Sequence, residues 1–354
     1  MTFYQLLQLD PLILKQKINS TKSKYDRRKY ILSLVLRSFL IVGFAICVIV
    51  LSTKFFGESN KPYAIVFFCM MLSLRFVDFG YKYAQSILGL SVVFGALFVA
   101  PFVHLLPNFT LQVLSHFLLL GGILIATLSD SKMGNPSLYG FSYIFVVYST
   151  ITDQITKKLL NDRLLFFGLF FLIFWWIIYH NHRNKHKKKT MFKALKEKSV
   201  SLKIWLFSYV FFISLLLSVS QYLSFERFMW VGFAFSSLFA SYGFSIIDLK
   251  TRATDRLLGT IIGIFSFILL SMYLPIEILS LLGGICLGFC SSYRYKTVFN
   301  CIGALTIASQ MYGIPQTLAM RFTYNLLGVS LAILGIWFVK MLLVLLQSFK
   351  STIR

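Results

Sequence analysis

The segment Asp248 to Gly263, DLKTRATDRLLGTIIG, sets Lys250, Arg252, Asp255 and Arg256 directly against the start of a long apolar run. Guanidinium groups near a membrane boundary must pair with a carboxylate, snorkel to water or line a hydrated cavity, because burying them in lipid is expensive. Taken as a short charged turn followed by a helix that Thr254 or Asp255 caps, the segment puts Arg252, Arg256, Gly259 and Gly263 on one stripe. An arginine stripe lining a cavity attracts anions, and the planar guanidinium holds a carboxylate through two parallel hydrogen bonds. Gly259 and Gly263 form a GxxxG pair that lets another helix approach closely. The plainer account makes Lys250, Arg252 and Arg256 topological anchors paired with Asp248 and Asp255.

A second cluster, Arg321, Asn325 and Gly328, lies at i, i+4 and i+7 at the start of the last apolar run and so shares one helix face. Arg321 is expected near the outer surface. There it either completes a pathway whose inner end is Arg252 and Arg256 or anchors the helix in headgroups. A weaker copy of the first segment lies 170 residues upstream, where Asp78, Lys82, Leu88 and Gly89 align with Asp248, Arg252, Leu258 and Gly259. That copy has Gln85 and Ser86 where the second has Asp255 and Arg256. His104 and His116 flank the turn at Pro107 and read as structural residues at an interface. Asp130, Lys132 and Asn135 read as a solvated turn.

The elements that must position these residues follow from composition. With 354 residues, 57% hydrophobic, 13% charged and 38 of them Phe, the chain reads as an all-α polytopic membrane protein rather than a soluble domain. Apolar runs near spanning length recur at 31–53, 62–78, 84–106, 111–129, 137–152, 164–180, 202–223, 228–247, 256–274, 277–292, 297–312 and 322–347. They suggest about twelve transmembrane helices in two parallel six-helix repeats, 31–181 and 202–348. A cytoplasmic segment (1–30) precedes them, a basic linker (182–201) joins them and a short tail (349–354) follows.

The net charge of +23 is concentrated in the blocks Lys15 to Arg37 and Arg183 to Lys203, which the positive-inside rule places in the cytoplasm together with both termini. Nucleic acid is therefore not the expected partner. One turn disagrees with this topology, since Lys157, Lys158 and Arg163 would lie outside. In the linker, Met191, Phe192, Leu195, Ser199 and Leu202 fall at helical spacing with lysines opposite. Such a helix would lie at the cytoplasmic interface and favour anionic lipid; the plainer account is a topogenic linker with a stretch of solvated charge. The five cysteines all sit in apolar runs, Cys286 and Cys290 as packing residues. No catalytic triad spacing, phosphate-cradling loop or metal-ligand pair is present, so neither an enzyme nor a cofactor is expected.

At Arg252, Asp255, Arg256, Gly259, Thr260 and Gly263, followed by Arg321 and Gly328, the chain resembles the fusaric acid resistance and aromatic acid exporter-like family of integral membrane transporters. Those proteins carry an R-x-x-x-R-x-x-G-T-x-x-G signature in a repeated six-helix unit. The resemblance covers 202–348 best and the first half only in helix layout. It implies export of small organic anions such as aromatic carboxylates across the plasma membrane. Plant relatives conduct malate as dimers, which implies a homodimer here. By the resemblance, Arg252, Asp255, Arg256, Thr260, Arg321 and Asn325 would bind substrate, and Gly259, Gly263 and Gly328 would pack helices. Many members carry a cytoplasmic domain that this chain lacks, and the first half lacks the signature Arg and Thr. The alternative is a non-transporting scaffold or accessory protein of the cell envelope.

Overall fold

The computed structural model describes residues 2–74, 79–128, 135–150, 156–184, 189–239 and 246–352, and among them every regular element is helical. In chain order these are α1 (Phe3–Leu7), α2 (Pro11–Ser20), α3 (Lys24–Phe56), α4 (Lys61–Leu74), α5 (Tyr83–Val99), α6 (Phe109–Ala126), α7 (Gly140–Ser149) and α8 (Lys157–His182). Then come α9 (Met191–Glu197), α10 (Val200–Tyr222), α11 (Met229–Phe239), α12 (Ile246–Ser271), α13 (Ile276–Phe289), α14 (Tyr293–Tyr312) and α15 (Ile314–Thr352). Among the described residues seven helices are long and apolar enough to cross a membrane: α3, α5 with its 3-10 extension, α6, α8, α10, α12 and α15. A helix satisfies its own backbone hydrogen bonds, which is what a chain segment in hydrocarbon requires.

Apolar side chains occur on both faces of these helices. On α8, Phe166, Phe170 and Phe174 are buried, while Leu165 on the other side is 66% exposed and Leu172 58%. A helix that is hydrophobic all round needs an apolar medium on its outer face. The helix ends are set by local chemistry. Asp10 accepts a hydrogen bond from the Leu12 N–H at 2.8 Å and Pro11 opens α2, a pairing suited to a helix start. Gly313, at φ +75°, separates α14 from α15, a conformation that costs glycine little.

The chain divides by contact into two compact units, Met1–Cys47 with Phe244–Leu327, and Val48–Gly243 with Gly328–Arg354. In the first, α14 packs along α12 and α13 around Phe267, Leu279, Cys301 and Leu305. The short N-terminal helices contribute Leu6 and Leu14, which cluster with Leu34 of α3. In the second, Phe67 of α4 stacks on Phe94 at 4.6 Å and on Phe166 at 5.6 Å between ring centroids.

Three expectations change. The charged stretch from Asp248 to Asp255 is not a turn, because α12 begins at Ile246 and runs through it. Its Lys, Arg, Ala and Leu residues are good helix formers with no breaker among them, and the Thr254 hydroxyl donates to the Lys250 carbonyl instead of capping. Nor is the linker one amphipathic helix. Thr190 caps α9, Lys198 is extended and Ser199 caps α10 by accepting from Leu202 N–H, so two short-range caps override the periodicity. His116 is fully buried rather than interfacial, its Nδ1 2.8 Å from the Tyr143 hydroxyl and its Nε2 3.2 Å from Gln221 Oε1. Asp78 of the upstream copy, and Asp130 and Lys132, lie outside the described residues.

Candidate functional site

The first unit gathers the charged residues of α12 against α14 and the first turns of α15. Arg256 donates through Nε to Asn325 Oδ1 at 3.2 Å and through Nη1 to the Tyr293 hydroxyl at 3.2 Å. Arg252 lies over the Tyr293 ring, 4.4 Å from its centroid, so one tyrosine serves two guanidinium groups by its hydroxyl and its face. Asn325 is completely buried, and its amide donates to the Arg321 carbonyl at 2.8 Å. Arg321 is 4% exposed and reaches the Cys301 sulfur.

The carboxylate of the segment turns elsewhere. Asp255 takes both Nε and Nη2 of Arg294 on one oxygen, at 2.7 and 2.6 Å. With the Arg294 side chain 45% exposed and that of Asp255 21%, this pair sits at the rim. Among the described residues Arg256 meets Asn325 and Tyr293 and no carboxylate. Arg256 therefore keeps its positive charge without a paired carboxylate, in surroundings where a charge is weakly screened.

The glycines make this geometry reachable. A Cβ at Gly259 would fall 2.8 Å from the Arg294 carbonyl oxygen and from Thr297 Cβ, and one at Gly263 would fall 2.6 Å from Cys301 Cβ. Both lie pressed on α14, which brings Tyr293 and Arg294 within reach of Arg256 and Asp255. Thr260 is buried, and its hydroxyl donates to the Arg256 carbonyl. Gly328 belongs to the second unit, where a Cβ would fall 2.5 Å from the Val231 carbonyl oxygen of α11.

The expectation that Arg321 and Arg256 mark opposite ends of a pathway is overturned by the Arg256 contact to Asn325, one turn from Arg321. The reason is a helix start: α15 begins at Ile314, not near 322, so Arg321 lies about 10 Å along its axis at 1.5 Å per residue. Tyr293, Arg294 and Cys301 were missed by the sequence reading. The only signal for Tyr293 and Arg294 was the basic, aromatic run SSYRYK at the start of α14; Cys301 had none.

The fold and this buried basic cluster define a multi-pass membrane protein. Residues 212–335, which hold every residue of the cluster, match the family described as fusaric acid resistance protein-like. This supports the resemblance at Arg252 to Gly263, and over that region the chain is similar to a membrane transport-related family. No curated protein and no solved structure matches the chain.

Proposed function

We propose that the protein exports small organic anions, aromatic carboxylates among them, across the plasma membrane. The observation that carries this reading is the partner set of Arg256: two neutral oxygens hold it while Arg294 occupies Asp255. A guanidinium fixed in this way has fork positions left for a carboxylate. Arg252 and Arg321 add charge, and the Tyr293 ring offers a flat neighbour for an aromatic body. From a negative interior, export of a monoanion is electrically downhill by about 2.3 kcal/mol per 100 mV, so no ATPase domain is required.

The layout supports the twelve-helix reading as well. Among the described residues α3 to α8 precede the linker helix α9 and α10 to α15 follow it, six on each side. In this proposal 31–181 and 202–348 are parallel repeats, with the linker and both termini in the cytoplasm. The test is uptake of benzoate and related aromatic carboxylates into proteoliposomes under an imposed potential. Loss of transport by at least tenfold in a folded Arg256→Ala variant is expected, and transport at the parental rate would sink the assignment. A scaffold would show no transport in either protein.

A further inference from the structure

The geometry points to a second carboxylate-binding site, separate from the Arg256 cluster, at Arg163 in the second unit. Arg163 sits near the start of α8 and is 1% exposed. Its guanidinium lies over the Tyr63 ring at 5.2 Å and the Phe102 ring at 5.7 Å. Aromatic faces stabilise a cation but satisfy none of its N–H groups. Among the described residues neither Nε nor Nη2 of Arg163 has a hydrogen-bond partner, and none of the ion pairs formed there includes this residue.

Those two nitrogens form one edge of the guanidinium, the edge that receives both oxygens of a carboxylate in a side-on fork. Two further buried hydroxyls lie close by. Those of Tyr63 and Thr150 stand beside each other, with no partner outside the pair. A buried charge with its fork empty is strongly destabilising, and buried polar groups are nearly always satisfied. One bound carboxylate would satisfy the fork and could accept from a hydroxyl.

The elements involved meet at one end. Tyr63 stands near the start of α4, Phe102 in the 3-10 turn Ala100–Leu105 after α5, Thr150 at the end of α7 and Arg163 near the start of α8. In the proposed topology this is the outer end, where positive charge runs against the positive-inside rule and so needs another reason to be there. Phe102 is only half-buried. Its ring is the cover that must turn aside to admit a ligand. The flanking rings favour a carboxylate on a flat apolar body, and benzoate is the probe of choice.

Calorimetric titration of the full chain in nanodiscs tests this, in an Arg256→Ala background so that the signal does not depend on the first site. Benzoate is expected to bind there, to be lost on adding Arg163→Met and to weaken about tenfold with Arg163→Lys, which keeps charge without the fork. Methionine removes a buried charge, so that variant is expected to melt no lower than its parent. Phe102→Ala is expected to speed association. Benzoate binding unchanged by Arg163→Met, its absence in the Arg256→Ala protein, or binding of inorganic phosphate in its place would overturn the site. Transport lost in Arg256→Ala alone, with binding kept, leaves the two proposals separately judged.

Discussion

The start of α5 and the aligned middle of α12 carry matching residues in different employment. On α5, Gln85 Oε1 accepts the Met191 N–H of the linker helix at 2.6 Å, and the Ser86 hydroxyl donates to the Tyr81 carbonyl. Gly89 faces the Met191 methyl group. On α12 the matching Asp255 and Arg256 reach Arg294, Tyr293 and Asn325, and Gly259 faces the backbone of α14. The helix starts differ for a local reason. Gly80, at φ +71°, lies ahead of α5, whereas the aligned Lys250 continues a helix. One region thus spends its polar groups on seating the linker, and the other keeps them for a charged cluster. Similar sequence with unlike neighbours yields a structural joint in one place and a candidate binding site in the other.

Five substitutions would break or sharpen that contrast. The largest effect is expected from Gly263→Val, which forces side-chain atoms into Cys301 and the Val298 carbonyl and costs about 1–3 kcal/mol or more by overpacking. Gly89→Ala meets only a flexible methyl at 3.2 Å and is expected to cost under about 1 kcal/mol. Melting temperatures of the two proteins in one detergent compare them directly, and equal losses would erase the distinction.

Next in size is Arg294→Gln. It releases Asp255 beside Arg256 and is expected to weaken benzoate transport about threefold to tenfold, as expected when a like-sized charge pair is rearranged near a surface. Asp255→Asn is expected to act in the opposite sense, lowering the benzoate KM while costing at most about 1 kcal/mol of stability, because the pair is partly exposed. Proteoliposome uptake reads both. The same direction of change from both would mean that the pair serves only packing.

The smallest effect belongs to Gln85→Ala. It removes the acceptor for the Met191 N–H and is expected to raise proteolytic nicking at the linker, with benzoate transport unchanged. Parental resistance to protease would show that the Lys82 to Lys189 hydrogen bond and the buried Ala194 hold α9 without Gln85.

The all-helical class was legible because 57% hydrophobic residues in recurrent runs leave few alternatives. The charged residues of the cluster were legible too, as the chemistry of Arg252 and Arg256 is visible in one dimension. Their partners were not. Arg294 lies 39 residues from Asp255 and Asn325 lies 69 from Arg256, and only the approach of α14 and of the first turns of α15 to α12 brings them together. Element starts failed where charge was taken as a turn signal: at Asp248 a helix former run continued, and before Arg321 the break fell at Gly313 instead. Arg163 registered only as a topological misfit, because burial of a basic residue leaves no periodic trace.

The joint between α9 and α10 has a mechanical consequence. Because two extended residues, Lys198 and Ser199, separate two independently capped helices, the linker behaves as a hinged clasp and not as a lever. A force applied to α9, from a bound surface or a fused domain, would bend the chain at Lys198 and load the two hydrogen bonds to α5, Lys82 N–H to Lys189 O and Met191 N–H to Gln85.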